Sequence, residues 1–78
     1  MKQSANYEIV EEDEDCVLIR DVGPWEQRLT ITNDAEAVVR KLAWHLNGRR
    51  LEYIDSDGFR SRIKVTDGAF AGFAPALQ

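Results

Sequence analysis

Residues 33–48, NDAEAVVRKLAWHLNG, decide how this chain folds. From Asp34 to Asn47 the apolar residues Ala35, Val38, Val39, Leu42 and Leu46 recur at helical spacing and make one stripe. Asn33 is placed to cap the start, and Glu36 three residues on completes a capping-box spacing. Asp34 and Glu36 suit the positive end of the helix dipole, and Asn47-Gly48 supplies the left-handed residue that closes helices. The pattern predicts one amphipathic helix. At about 100° per residue, Trp44 points away from the apolar stripe, beside Ala37, Arg40 and Lys41. A large aromatic on that flank needs cover. It comes from the chain's own residues 70–77, from a strand wrapping the outer side, or from another molecule; the remaining alternative is a free, exposed tryptophan.

Strand patterns lie on either side of the helix. Upstream, Tyr7 and Ile9 alternate with polar residues, and the acidic run Glu11 to Asp15 reads as an exposed turn, because packed like charges repel. Residues 16–22 open with four apolar side chains, which predicts a strand covered on both faces. Gly23-Pro24 ends it, and residues 27–32 alternate again, with Leu29 and Ile31 on one face and Arg28, Thr30 and Thr32 on the other. Downstream, residues 50–55 set Leu51 and Tyr53 on one face, and Asp55 to Gly58 make a turn. Residues 59–65 then direct Phe59, Ile63 and Val65 inward and Arg60, Arg62 and Lys64 outward. Asp67-Gly68 is a two-residue hairpin signal leading into a short strand over residues 69–73. The expected fold is α+β: an antiparallel sheet in two meanders, in the order β-β-β-α-β-β-β, with the helix packed across one face. Residues 1–78 make one domain, with residues 1–5 and 74–78 as flexible tails.

At 44% hydrophobic and 31% charged, the composition is that of a globular domain. The longest apolar run, Cys16 to Ile19, is too short to span a bilayer. A single cysteine forms no internal disulfide and no secretory leader is evident, which together place the chain in the cytoplasm. Residues 1–39 carry three Lys/Arg against ten Asp/Glu, and residues 40–78 carry seven against four, for a net charge of −4. That acidity argues against a general nucleic-acid binder, which needs a basic footprint. The imbalance is met by oppositely charged strands within one fold, or by contact between the acidic and basic ends of different molecules.

The candidate chemical sites are few. Asp55, Asp57 and Gly58 suggest a calcium loop, but Phe59, Arg60 and Thr66 stand where a third ligand, a glycine and the distal glutamate are required. The expected metal and cofactor sets are therefore empty. His45 and Cys16, with a carboxylate, are the only nucleophile–base pair on offer, and Cys16 lies in an apolar strand where burial makes a thiol inert. The chain reads as non-enzymatic. Arg60, Arg62 and Lys64 form a basic row, with Arg50 and Arg28 as further members and Glu8 and Glu12 as the balancing acids. The aromatics that sheet-type RNA recognition needs alternate to the opposite face. Trp25, after Gly23-Pro24, lids the core or anchors a contact.

Three stretches together, Arg20 to Trp25, residues 30–36 (TITNDAE), and Arg50 with Tyr53 to Gly58, resemble a pattern in short bacterial proteins without an assigned activity. Some of these are carried on mobile, integron-type gene cassettes. The resemblance covers roughly the middle two-thirds of the chain and rests on capping and turn signals, so it implies no function.

The leading expectation is an interaction module that associates with itself, as a dimer, through Ala37, Arg40, Lys41 and Trp44. The second is a small-molecule binding domain with an apolar pocket between helix and sheet, lined by Trp25, Tyr53 and Phe59.

Overall fold

The computed structural model describes residues 7–22 and 30–76. Five strands and one helix follow one another as β1 (Tyr7–Glu12), β2 (Cys16–Asp21), α1 (Ala35–Leu46), β3 (Arg50–Ile54), β4 (Arg60–Thr66) and β5 (Ala69–Pro75). The strands form a single sheet in the order β1-β2-β3-β4-β5, so both halves of the chain share it. The α+β class stands, with one helix packed on the sheet.

The halves are joined differently from two stacked meanders. β1–β2, β3–β4 and β4–β5 are antiparallel, whereas β2 and β3 are parallel, with Cys16 beside Arg50 and Ile19 beside Tyr53. The reason is the length of the connection. A dozen or more residues carrying a helix return the chain to the end of the sheet from which it left, so the next strand runs the same way. Of the strand expected over residues 27–32, positions 27–29 lie outside the described residues, and Ile31 and Thr32 belong to a turn preceding the helix. Ile31 is fully buried there, and its backbone N–H donates to Asp21 Oδ1 at 2.7 Å.

Helix α1 has the expected inner stripe: Ala35, Val38, Val39, Leu42 and Leu46 are all buried. Its start is shifted by one residue, since Asp34 occupies the N-cap position instead of Asn33. Asn33 closes the preceding turn by donating its backbone N–H to the Thr30 carbonyl at 3.0 Å. The end is as expected, with Asn47 left-handed at φ 49° and Gly48 at φ 84°. The stripe meets Val17 and Ile19 of β2, Leu51 and Tyr53 of β3 and Ile63 of β4, with Tyr7, Val65 and Phe70 packed at the margin.

Both edge strands are interrupted. In β1, Ile9 pairs with Ile19 and Glu11 with Leu18, leaving Val10 as a bulge. In β5, Phe70 pairs with Val65 and Phe73 with Ile63, so Ala71 and Gly72 together oppose Lys64, and Gly72 takes φ 112°. Three-residue spacing thereby sets Phe70 and Phe73 on the same face, with ring centroids 5.2 Å apart. Asp67 and Gly68, at φ 53° and 78°, form the expected tight hairpin between β4 and β5. Ala74 and Pro75, expected in a tail, extend β5 and pair with Arg62 and Ser61. Phe59, expected inward, sits in the turn before β4 and is 71% exposed. The turn is closed by Asp55, whose Oδ1 accepts the backbone N–H groups of Asp57 and Phe59, so the chain has not yet entered the sheet there.

Candidate interaction site

The outer face of α1 carries Ala37, Arg40, Lys41 and Trp44 at spacings of three and four, which sets them in one column. Ala37 is half-buried; Arg40, Lys41 and Trp44 are exposed. Trp44 is 83% exposed, so among the described residues neither the C-terminal strand nor any other segment covers it. It meets the neighbouring His45 edge to face, with ring centroids 6.1 Å apart and planes at 87°.

Beside Trp44 lies a shallow groove of about 600 Å³, lined also by Glu12, Asp13, Glu14, His45, Asn47 and Arg49. The Val10 bulge builds its acidic wall. Without it, strict alternation from Ile9 would aim Glu11 at the helix side. With one residue added, Glu12 pairs with Val17 and faces the helix, while Glu11 pairs with Leu18 on the opposite face. Glu12 Oε2 then lies 3.1 Å from His45 Nε2 and accepts from Arg49 Nη1 at 3.1 Å. Arg49 also closes the helix end, donating to the carbonyls of Leu46 and His45 at 3.0 and 2.8 Å and to that of Asp13 at 3.1 Å. The acidic turn is thus locked to the helix terminus by an arginine from the following segment.

The electrostatics agree with this geometry. Hydrogen bonds from His45 and Arg49 hold the Glu12 carboxyl below its ordinary range. Asp13 is held low by the backbone N–H groups of Asp15 and Cys16, which donate to its Oδ1 at 2.8 and 2.9 Å. Both carboxyls titrate lower in the folded chain than unfolded. Their contribution to stability is complete above the ordinary carboxylate values, 4.5 and 3.8, and is lost as pH falls through the folded values. Urea midpoints are expected to be level from pH 7 to about 5 and to fall below about pH 4.5. A midpoint at pH 3 equal to that at pH 6 would show that these contacts do not form.

The sites expected elsewhere are not assembled among the described residues. Tyr53 is buried, and its hydroxyl donates to Asp21 Oδ2 at 2.8 Å. Phe59 is solvent-facing, so it lines no enclosed pocket between helix and sheet, and Trp25 lies outside the described residues. Cys16 shares the sheet face of Arg50 and Glu52, opposite the helix that carries His45, so the sheet separates thiol from imidazole. Burial, and after it the Glu52 carboxylate, push the Cys16 thiol up, away from nucleophilic character. Among the described residues no three His, Cys, Asp or Glu side chains gather as a metal site. Nor is any helix long and apolar enough to cross a membrane.

The basic row has a counterion that the sequence did not single out. Glu8 binds Arg20, and Glu12 serves His45 and Arg49, so neither balances the row. Its counterion is Glu52, 1% exposed, on the sheet face away from the helix. Arg50 Nε donates to Glu52 Oε2 at 3.2 Å, and Arg60 Nε and Nη2 donate to Oε1 at 3.0 and 2.7 Å. Burial pushes the Glu52 carboxyl up, but the bonds from Arg60 and Arg50 outweigh it and the net direction is down. Alternation from Leu51 and Tyr53 would have placed Glu52 on this face; only its depth was hidden. No protein-family model, curated protein or solved structure matches the chain.

Proposed function

We propose that the chain is a small, non-catalytic, cytoplasmic interaction module that pairs with a second copy of itself through the outer face of α1. The observation that carries this reading is the 83% exposure of Trp44 between groups of opposite charge. Arg40 and Lys41 lie one turn before it on the helix, and Glu12, Asp13 and Glu14 share its groove. A two-fold axis near Trp44 sets the basic flank of each protomer against the acidic wall of its partner. That self-complementarity is what an isologous contact requires. Covering the two indoles contributes about 2–3 kcal/mol each, which matters in a domain this small.

Sedimentation velocity tests the reading. The wild-type chain is expected to dimerise at tens of micromolar, and Trp44→Glu to weaken the dimer about 30-fold or more, the scale of a central aromatic anchor. Because Trp44 makes little contact with its own chain, the variant should retain the wild-type circular dichroism spectrum. A wild type that stays monomeric at several hundred micromolar, or a Trp44→Glu dimer of undiminished affinity, would end the proposal.

A further inference from the structure

We infer that the sheet face opposite the helix carries an oxyanion site, built by Arg50, Arg60 and Arg62 with Lys64 at its border, that takes a phosphate monoester group. The argument begins with the buried carboxylate. Glu52 is surrounded in the register by four cations: Arg50 two residues earlier on β3, Arg62 directly opposite on β4, and Arg60 and Lys64 on the two diagonals. Two of them bind it. Arg62 and Lys64 engage no carboxylate among the described residues, and the group of five carries an excess of three positive charges. Satisfying one buried glutamate does not require four cations.

The bonds that are made also leave donors over. Arg50 gives Glu52 only its Nε–H, and Arg60 gives Nε–H and one Nη2 hydrogen, out of five N–H groups on each guanidinium. Their side chains remain 35% and 43% exposed, so the unused fork edges reach solvent. Glu52 binds them on different oxygens, Arg50 from one end of the carboxylate's register and Arg60 from the other, and fixes both. A buried carboxylate that orients charged groups reduces the ordering cost of a ligand bound to them. Planar forks held this way suit an anion with several oxygens. Glu11, beside Leu18 on this face, attracts Arg60, Asp15 attracts Arg50, and Glu8 is held by Arg20.

The test is an NMR titration of the full chain with inorganic phosphate and with O-phosphoserine at pH 7.5, against sodium chloride at matched ionic strength and against dimethyl phosphate. Arg50, Arg60 and Arg62 are expected to shift together and saturate with a Kd of about 1–10 mM. Arg62→Gln should weaken binding about fivefold or more with the melting temperature unchanged, since Arg62 holds no bond to Glu52. Four outcomes overturn the site: shifts no larger than with chloride, shifts spread equally over Arg20, Arg40 and Lys41, wild-type binding by Arg62→Gln, or dimethyl phosphate that matches phosphate. None of these results depends on whether Trp44 mediates a dimer.

Discussion

Ile19→Ala is expected to destabilise the fold by about 3 kcal/mol, within the range of roughly 2–5 kcal/mol for such truncations in a packed core. Ile19 is fully buried at the crossing point of the architecture. It pairs with Ile9 across the antiparallel joint and with Tyr53 across the parallel one, and it packs in the same cluster as the helix stripe. Removing its three outer carbons opens a cavity walled by regular elements, which have little room to collapse. For a chain of this length total stability is about 4–12 kcal/mol, so the loss is a large share of it. Val10→Ala, in the edge bulge at 46% exposure, is the matched control and should cost well under about 1 kcal/mol. Urea unfolding followed by circular dichroism reads both. If the two variants shift the midpoint equally, the core is not centred on β2.

The second large effect is an asymmetry around Glu52. Removing both arginines, as Arg50→Ala with Arg60→Ala, leaves a buried carboxylate without its charged partners, and the expected cost is about 3–5 kcal/mol. Removing the carboxylate is expected to cost much less. In Glu52→Leu the two guanidiniums, already partly exposed, turn to water, and the leucine lies beside Leu18, its partner in register. Replacing a buried ionic group by an apolar one of similar size is often neutral. Thermal unfolding of the two variants should therefore separate them by well over about 5 °C, given the roughly 4–8 °C per kcal/mol of a domain this size. Equal losses would mean that Glu52 is better hydrated than its 1% exposure implies.

These contrasts show what the chain declares locally and what it does not. The helix was legible because periodicity and its closing Asn47-Gly48 are local signals, and both are realised. The four-residue run Cys16 to Ile19 spoke for a strand covered on both faces, and all four are buried. The parallel joint was not legible, because strand direction is set by where a long connection returns rather than by any residue in it. The bulges were equally silent: Val10 fits a regular strand, and only the register reveals that it turns Glu12 instead of Glu11 toward the helix. Since that extra residue forms the acidic wall beside Trp44, the part of the candidate site outside the helix could not be read from spacing alone. Asp21 is a similar case. Its carboxylate ties the Ile31 backbone to the Tyr53 hydroxyl, a bond pair between three segments far apart in the chain.

That neighbours in space are also neighbours along the polypeptide has a consequence for how the molecule is made. A ribosome releases the segments in the same order in which the ribbon accepts them, so every newcomer adds to a free border and none has to wedge between earlier arrivals. One pause is built in: the third segment can join only after the coil before it has emerged and doubled back. Closing that widest span carries the steepest entropic toll, and maturation should wait there.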